Sequence, residues 1–216
     1  MTTNVIITSI VCLAAAIALV FAEQCNWQAG RVLFKLTASS AFVFLALQSG
    51  AATTNYGRLL LAALILSWIG DAFLLSIRNN YFLAGIAAFL FAHFAFAAAF
   101  ASLQIDSAAF LIGMAIMSAV GAALLLWLWS SLTGFFKLAV PVYVAALVIM
   151  TAMAIAAGSA SGSMLIPAGA LAFAASDVAV ARDRFVSHDI MNRAWGLPLY
   201  YLAQVLLAIS AAPSMH

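Results

Sequence analysis

Charge is what this chain most lacks. Only 6% of its 216 residues are Asp, Glu, Lys or Arg, while 68% are hydrophobic and the mean hydropathy is +1.18. A soluble domain carries about 25% charged residues, so this chain cannot cover itself with polar surface and a water-soluble fold is excluded. Cysteine is also scarce: Cys12 and Cys25 match no metal or redox spacing and read as free thiols. There is no His-x3-His or Cys pair, which argues against a metal site. Strict apolar–polar alternation is missing, which argues against a transmembrane barrel. No Lys or Arg precedes the first apolar run. A secretory signal carries a basic segment there, so that run reads as a retained first helix.

What the chain does have is a series of apolar runs of roughly 20 residues, the length that crosses about 30 Å of hydrocarbon as helix. Eight spans follow, at about 5–22, 31–48, 57–77, 82–102, 108–129, 137–157, 163–181 and 194–212. The fold class is therefore all-α, an integral membrane bundle of eight transmembrane helices. The connections are short, and none is long enough to separate two domains, so residues 1–216 read as one transmembrane domain. Arg31, Lys35, Arg78, Lys137, Arg182, Arg184 and Arg193 lie at or beside odd-numbered connections, and only Arg58 lies beside an even one. By the positive-inside rule the odd connections are cytoplasmic and both termini face outward, as in a bacterial inner (plasma) membrane.

The six acidic residues are the sharpest signal. Four fall in polar connections, but Asp71 and Asp177 sit near the ends of the third and seventh apolar runs, where ionisation is expensive. An ionisable residue inside a membrane segment is a functional hypothesis by default. Asp71 lies seven residues before Arg78, and Asp177 seven before Arg184. At 1.5 Å per residue, each acid would sit roughly 10 Å above an interfacial arginine. A small residue, Gly70 or Ser176, precedes each acid, and the shared pattern hints at a four-helix duplication. Both acids are expected within reach of each other across the third and seventh helices, lining one pocket open to the inner side.

Other polar residues share that half of the bundle: Lys35, Tyr143 after Pro141, and Tyr200, Tyr201 and Gln204 after Pro198, with His93 deeper. Each has a plainer reading. Lys35 can snorkel to the interface, Tyr200 and Tyr201 can form an aromatic belt, and His93 can simply bond a neighbouring helix. The arginines can serve orientation alone, and the two acids can merely lock helices together. Two acids at one depth are more than locking requires.

The segments Ile69-Gly70-Asp71 with Leu74 and Leu75, Gly85-x3-Phe89-x3-His93, Phe173-x2-Ser176-Asp177 and Tyr200-Tyr201-x-Ala203-Gln204 resemble the YhhN-type family of membrane proteins. Lys35 stands where that family has a Lys-Pro pair, but Leu36 follows it here. The characterised members are lysoplasmalogenases. The resemblance implies an eight-helix hydrolase that cleaves the vinyl ether of a lysoplasmalogen to a fatty aldehyde and a glycerophospho-headgroup. Asp71 and Asp177 would carry the chemistry and no cofactor is called for. The partners would be a lysophospholipid substrate and the bilayer, not nucleic acid.

Acid cleavage of an enol ether suits two carboxyls in unlike environments, one protonated and one ionised. Asp71 is the expected acid, because Ile69, Gly70 and Ala72 offer no donor while Ser176 could donate to Asp177. His93, Tyr200 or Gln204 would orient water. Lys35, Arg78 and Arg184 would hold phosphate, with Tyr143, Ser176 and Tyr201 completing the substrate site. Three other classes use similar residues. A proton-coupled lipid or small-molecule transporter also pairs acids with a histidine. An intramembrane aspartyl protease also carries Gly-Asp, but Trp68 stands where its first glycine would be. A structural or lipid-binding protein would use both acids only for packing.

Overall fold

The computed structural model describes residues 2–76 and 78–212. Those residues form eight α-helices: α1 (Thr3–Gln24), α2 (Gln28–Gln48), α3 (Asn55–Phe73), α4 (Asn79–Ala101), α5 (Ser107–Leu128), α6 (Phe136–Ser161), α7 (Leu165–Phe185) and α8 (Ile190–Ser210). A 3-10 turn, Trp129–Ser131, follows α5. The expected spans are met within about four residues at every end that is described; the expected end of the third helix, Ile77, lies outside the described residues. Seven helices are long and apolar enough to cross a membrane. The eighth, α8, is less apolar because it carries Asn192, Arg193, Tyr200, Tyr201 and Gln204.

The polarity of the bundle runs opposite to that of a soluble protein. Ile17, Leu111, Leu126 and Leu138 stand exposed on the outside, whereas Ser39, Asp71, His93, Asn192 and Gln204 are buried. Hydrocarbon solvates the first group, and the second finds partners only inside. This explains the placement of α8, which packs against α7, α1, α2 and α3. Its polar residues require protein neighbours, so the least apolar helix takes the most enclosed position.

The acids in the connections are all used locally. Asp106 caps α5 by accepting from the amides of Ala108 and Ala109, and Asp189 caps α8 through Met191. The Ser159 hydroxyl, with the Ala109 amide, holds the Asp106 carboxyl below the usual carboxylate range. Glu23 and Asp183 pair with basic residues instead. Gly162 ends α6 with φ of 69°, a left-handed conformation that glycine adopts without strain.

The two acids differ in how far their helices continue past them. α3 stops at Phe73, and its last turn tightens as Leu75 N–H bonds Ala72 and Ser76 N–H bonds Phe73. The seven residues from Asp71 to Arg78 are therefore not continuous helix, unlike those from Asp177 to Arg184. α4 serves as the better ruler. Gly70 lies against Phe89 and Gly85, while Phe173, one turn before Asp177, packs on Phe89, His93 and Phe96. Both acids thus sit level with the Gly85–His93 stretch.

The register of α8 depends on its close approach to α7. A methyl group at Gly196, one turn before Tyr200, would meet the Ala179 methyl at 2.5 Å, and neither methyl can rotate away. Gly196→Ala is expected to destabilise the bundle by about 1–3 kcal/mol through overpacking. The check is the unfolding midpoint in detergent; an unchanged midpoint would mean that α7 and α8 separate freely.

Candidate active site

Asp71 is gripped from two other helices. Lys35 of α2 brings Nζ to 3.4 Å from Oδ1, Ser39 of α2 donates to Oδ2 at 2.7 Å, and Tyr200 of α8 donates to Oδ2 at 2.8 Å. Lys35 and Ser39 are four residues apart, so one helix face delivers both. The Asp71 side chain is only 3% exposed. A carboxylate with one cation and two hydroxyl donors is satisfied as an anion, even where hydrocarbon surrounds the bundle. Tyr201 supports this arrangement from behind, its hydroxyl 3.2 Å from Ser39 Oγ and 3.4 Å from the Lys35 carbonyl.

Asp177 has a different set of partners. Tyr143 of α6 donates to Oδ2 at 3.1 Å, and Nε2 of His93, from α4, lies 3.3 Å from the same oxygen. Nδ1 of His93 is 2.6 Å from the Phe89 carbonyl. A carbonyl can only accept, so Nδ1 carries a proton. Nε2 is fully buried and has no partner in hydrogen-bonding geometry among the described residues. Nε2 therefore lies close to the Asp177 carboxyl without a bond to it. The Asp177 side chain is 15% exposed, which makes it the more accessible of the two acids.

Among the described residues the two acids share no bonding partner. α8 packs against both α3 and α7, and α4 lies beside α3, so rings fill the space across which direct contact was expected. Phe173 stands 5.5 Å from the Tyr200 ring and 4.9 Å from the His93 ring, centroid to centroid. Phe89 packs edge-on against both Phe173 and Tyr200. Two polar half-sites therefore face each other through an aromatic layer. A groove of about 940 Å3 between α1 and α2 includes neither acid in its lining.

Among the other expected site residues, Gln204 is buried one turn beyond Tyr200, within reach of its hydroxyl, and neither end of its amide meets strict hydrogen-bonding geometry among the described residues. Ser176 turns to its own helix and donates to the Phe173 carbonyl, not to Asp177. The donors to Asp71 come from α2 and α8, so the residues flanking each acid do not supply its partners. Arg184 donates to Asn79 and covers the Phe82 ring, tying α7 to the start of α4. Arg78 is exposed beside it. Among the described residues neither arginine is paired with an acid. Ser39 went unnoticed in the sequence, although its four-residue spacing from Lys35 was the available signal.

A family model described as the YhhN family matches residues 30–211. The chain is 35% identical over 157 residues to lysoplasmalogenase TMEM86A of Bos taurus, covering 70% of this chain and 64% of that protein. It is 34% identical to lysoplasmalogenase TMEM86A of Homo sapiens over the same length and shares. The match thus spans just under two thirds of these relatives. No solved structure matches the chain.

The Asp71 cluster makes a prediction about stability. Lys35→Met leaves a buried carboxylate without its cation and is expected to cost about 3–5 kcal/mol. Adding Asp71→Asn should recover much of that loss, as measured by denaturant unfolding in micelles. A double variant no more stable than Lys35→Met would show that the two side chains are not coupled.

Proposed function

Because this chain belongs to the YhhN family, we propose that it is a membrane hydrolase that cleaves the vinyl ether of a lysoplasmalogen or related lysolipid ether. The products are a fatty aldehyde and a glycerophospho-headgroup. The printed name of the relatives, lysoplasmalogenase, supports this reading. The residues act within one transmembrane domain, with the odd connections cytoplasmic, both termini outside and the acids in the cytoplasmic half.

Enol ethers are cleaved by acid. A proton adds to the β-carbon, an oxocarbenium ion forms, water adds to the α-carbon and loses a proton, and the hemiacetal collapses to aldehyde and alcohol. The observation that carries the mechanism is the unlike partner sets of the two acids. The His93–Asp177 pair, whose Nδ1–H is already committed to Phe89, is the proton donor. Asp71, held by Lys35, Ser39 and Tyr200, is the anion that faces the oxocarbenium ion and takes the proton from water. This reverses the roles expected from the flanking residues. The division between one protonated and one ionised carboxyl is that of glycoside hydrolysis. Gln204, buried one turn beyond Tyr200, orients the water. No cofactor enters.

Purified protein in detergent is to be given lysoplasmalogen and the matching saturated lyso-ether, with aldehyde as the readout. Only the vinyl ether should react, with a bell-shaped pH dependence. The low-pH limb reports the anion and the high-pH limb the proton donor. Asp177→Asn should lower kcat by about 100- to 10,000-fold and abolish the high-pH limb, whereas Asp71→Asn should abolish the low-pH limb. The opposite assignment of limbs would exchange the roles. Full activity in the double Asn variant would sink the mechanism, and lipid transport without aldehyde would favour a transporter.

A further inference from the structure

The densest polar cluster away from the two acids lies where α1 ends and α8 begins. A pocket of about 340 Å3 is lined there by Glu23, Gln24, Asn26, His188, Ile190 and Arg193, a size suited to a small polar group. Arg193 is its centre. Nη1 donates to Glu23 at 2.8 Å, and Nη2 donates to Nε2 of His188 at 3.1 Å and lies 3.5 Å from Asp183. Arginine can only donate, so Nε2 of His188 accepts and its Nδ1–H donates to Asp183 at 3.1 Å. Glu23 also takes a 2.8 Å bond from Arg31. One carboxylate, Glu23, and one cation, Arg193, thus line the hollow, and Arg31 and Asp183 extend their network beyond its lining. Locking the chain segments together would need the ion pairs but not the hollow.

Two rows of side chains lead from this cluster toward Asp71. On α2, Arg31, Lys35 and Ser39 follow at four-residue steps; the first pairs with Glu23, and the other two hold Asp71. On α8, Arg193 lines the pocket and Tyr200 bonds Asp71, and the seven residues between them rise about 10 Å. In a lysolipid ether six bonds separate the vinyl α-carbon from phosphorus, roughly 8 Å when extended. The ammonium lies farther out. A vinyl ether at the level of the acids therefore brings its headgroup to the level of Arg193.

We propose that this pocket binds the phosphoethanolamine headgroup of the substrate, Arg193 taking the phosphate and Glu23 the ammonium; this rests on the vinyl-ether reading above. A primary ammonium offers three N–H donors to carboxylates, whereas a quaternary choline offers none and is recognised by aromatic cages. Among the described residues, the lining contains no Phe, Tyr or Trp. The pocket therefore selects ethanolamine over choline.

The test uses the full chain in micelles and two variants. Gln24→Trp fills the pocket from a residue that takes part in none of the ion pairs, and Arg193→Gln removes the phosphate partner. Binding is measured for saturated lyso-ethers bearing phosphoethanolamine, phosphocholine or no headgroup, which cannot be cleaved. Wild type should bind the phosphoethanolamine form about tenfold more tightly than either of the others, and both variants should lose that preference. Gln24→Trp keeps the test open if Arg193→Gln fails to fold. Equal wild-type affinities, or a preference that survives in folded Gln24→Trp, would overturn the headgroup pocket even if aldehyde is released. A preference for phosphoethanolamine without aldehyde from the vinyl ether would keep the pocket and overturn the reaction. Equally strong competition by diacyl phosphatidylethanolamine would overturn the assignment to substrate and make the pocket a reader of bilayer headgroups.

Discussion

The ion pair between Lys35 and Asp71, with Ser39 and Tyr200 completing it, is the interaction on which the rest of the bundle depends. An anion surrounded by hydrocarbon must carry its solvation with it. Here that solvation comes from α2 and α8, which lie far apart in the chain. Meeting the demand draws α8 inward against α2 and α3. Its other polar residues Asn192 and Gln204 then lie buried as well. A single costly charge thus dictates which helix occupies the centre.

The two acids are related in arrangement but not in chemistry. Asp71 on α3 is held by the helix before it, α2, and by α8; Asp177 on α7 is held by the helix before it, α6, and by α4. A shift of four helices carries the first scheme onto the second, matching the small-residue-Asp pattern in both halves. The partners differ, however. Lysine and two hydroxyls satisfy an anion, whereas histidine and a single phenol leave room for a proton. Phe173 and Phe89 separate the two environments, which keeps each acid under the control of its own neighbours.

Much of this could be read in advance. Asp71, Asp177, His93, Lys35, Tyr143 and Tyr200 stood out because polar side chains are rare in this chain and each interrupts an apolar run. The structure unites them as two clusters. Ser39 did not stand out, because serine is common in membrane helices and only its partner gives it meaning. Ser176 misled for the converse reason: proximity in sequence suggested a bond to Asp177, yet a serine in a helix can satisfy itself on its own backbone. Arg78 and Arg184 were legible as interfacial charges, but not as residues that stay clear of both acids.

The sequence by itself determined the environment and the element type, since a chain with so little charge must be solvated by lipid and must satisfy its backbone within helices. It also determined which residues were too expensive to be incidental. The tertiary structure alone decided what those residues do. Partners of a buried acid come from other helices, and no spacing along the chain specifies how helices are arranged around one another. The placement of α8 between α3 and α7, the aromatic layer between the acids, and the different donors on each side are products of packing. That packing gave two similar aspartates different company, a lysine and two hydroxyls on one side and a histidine and a phenol on the other.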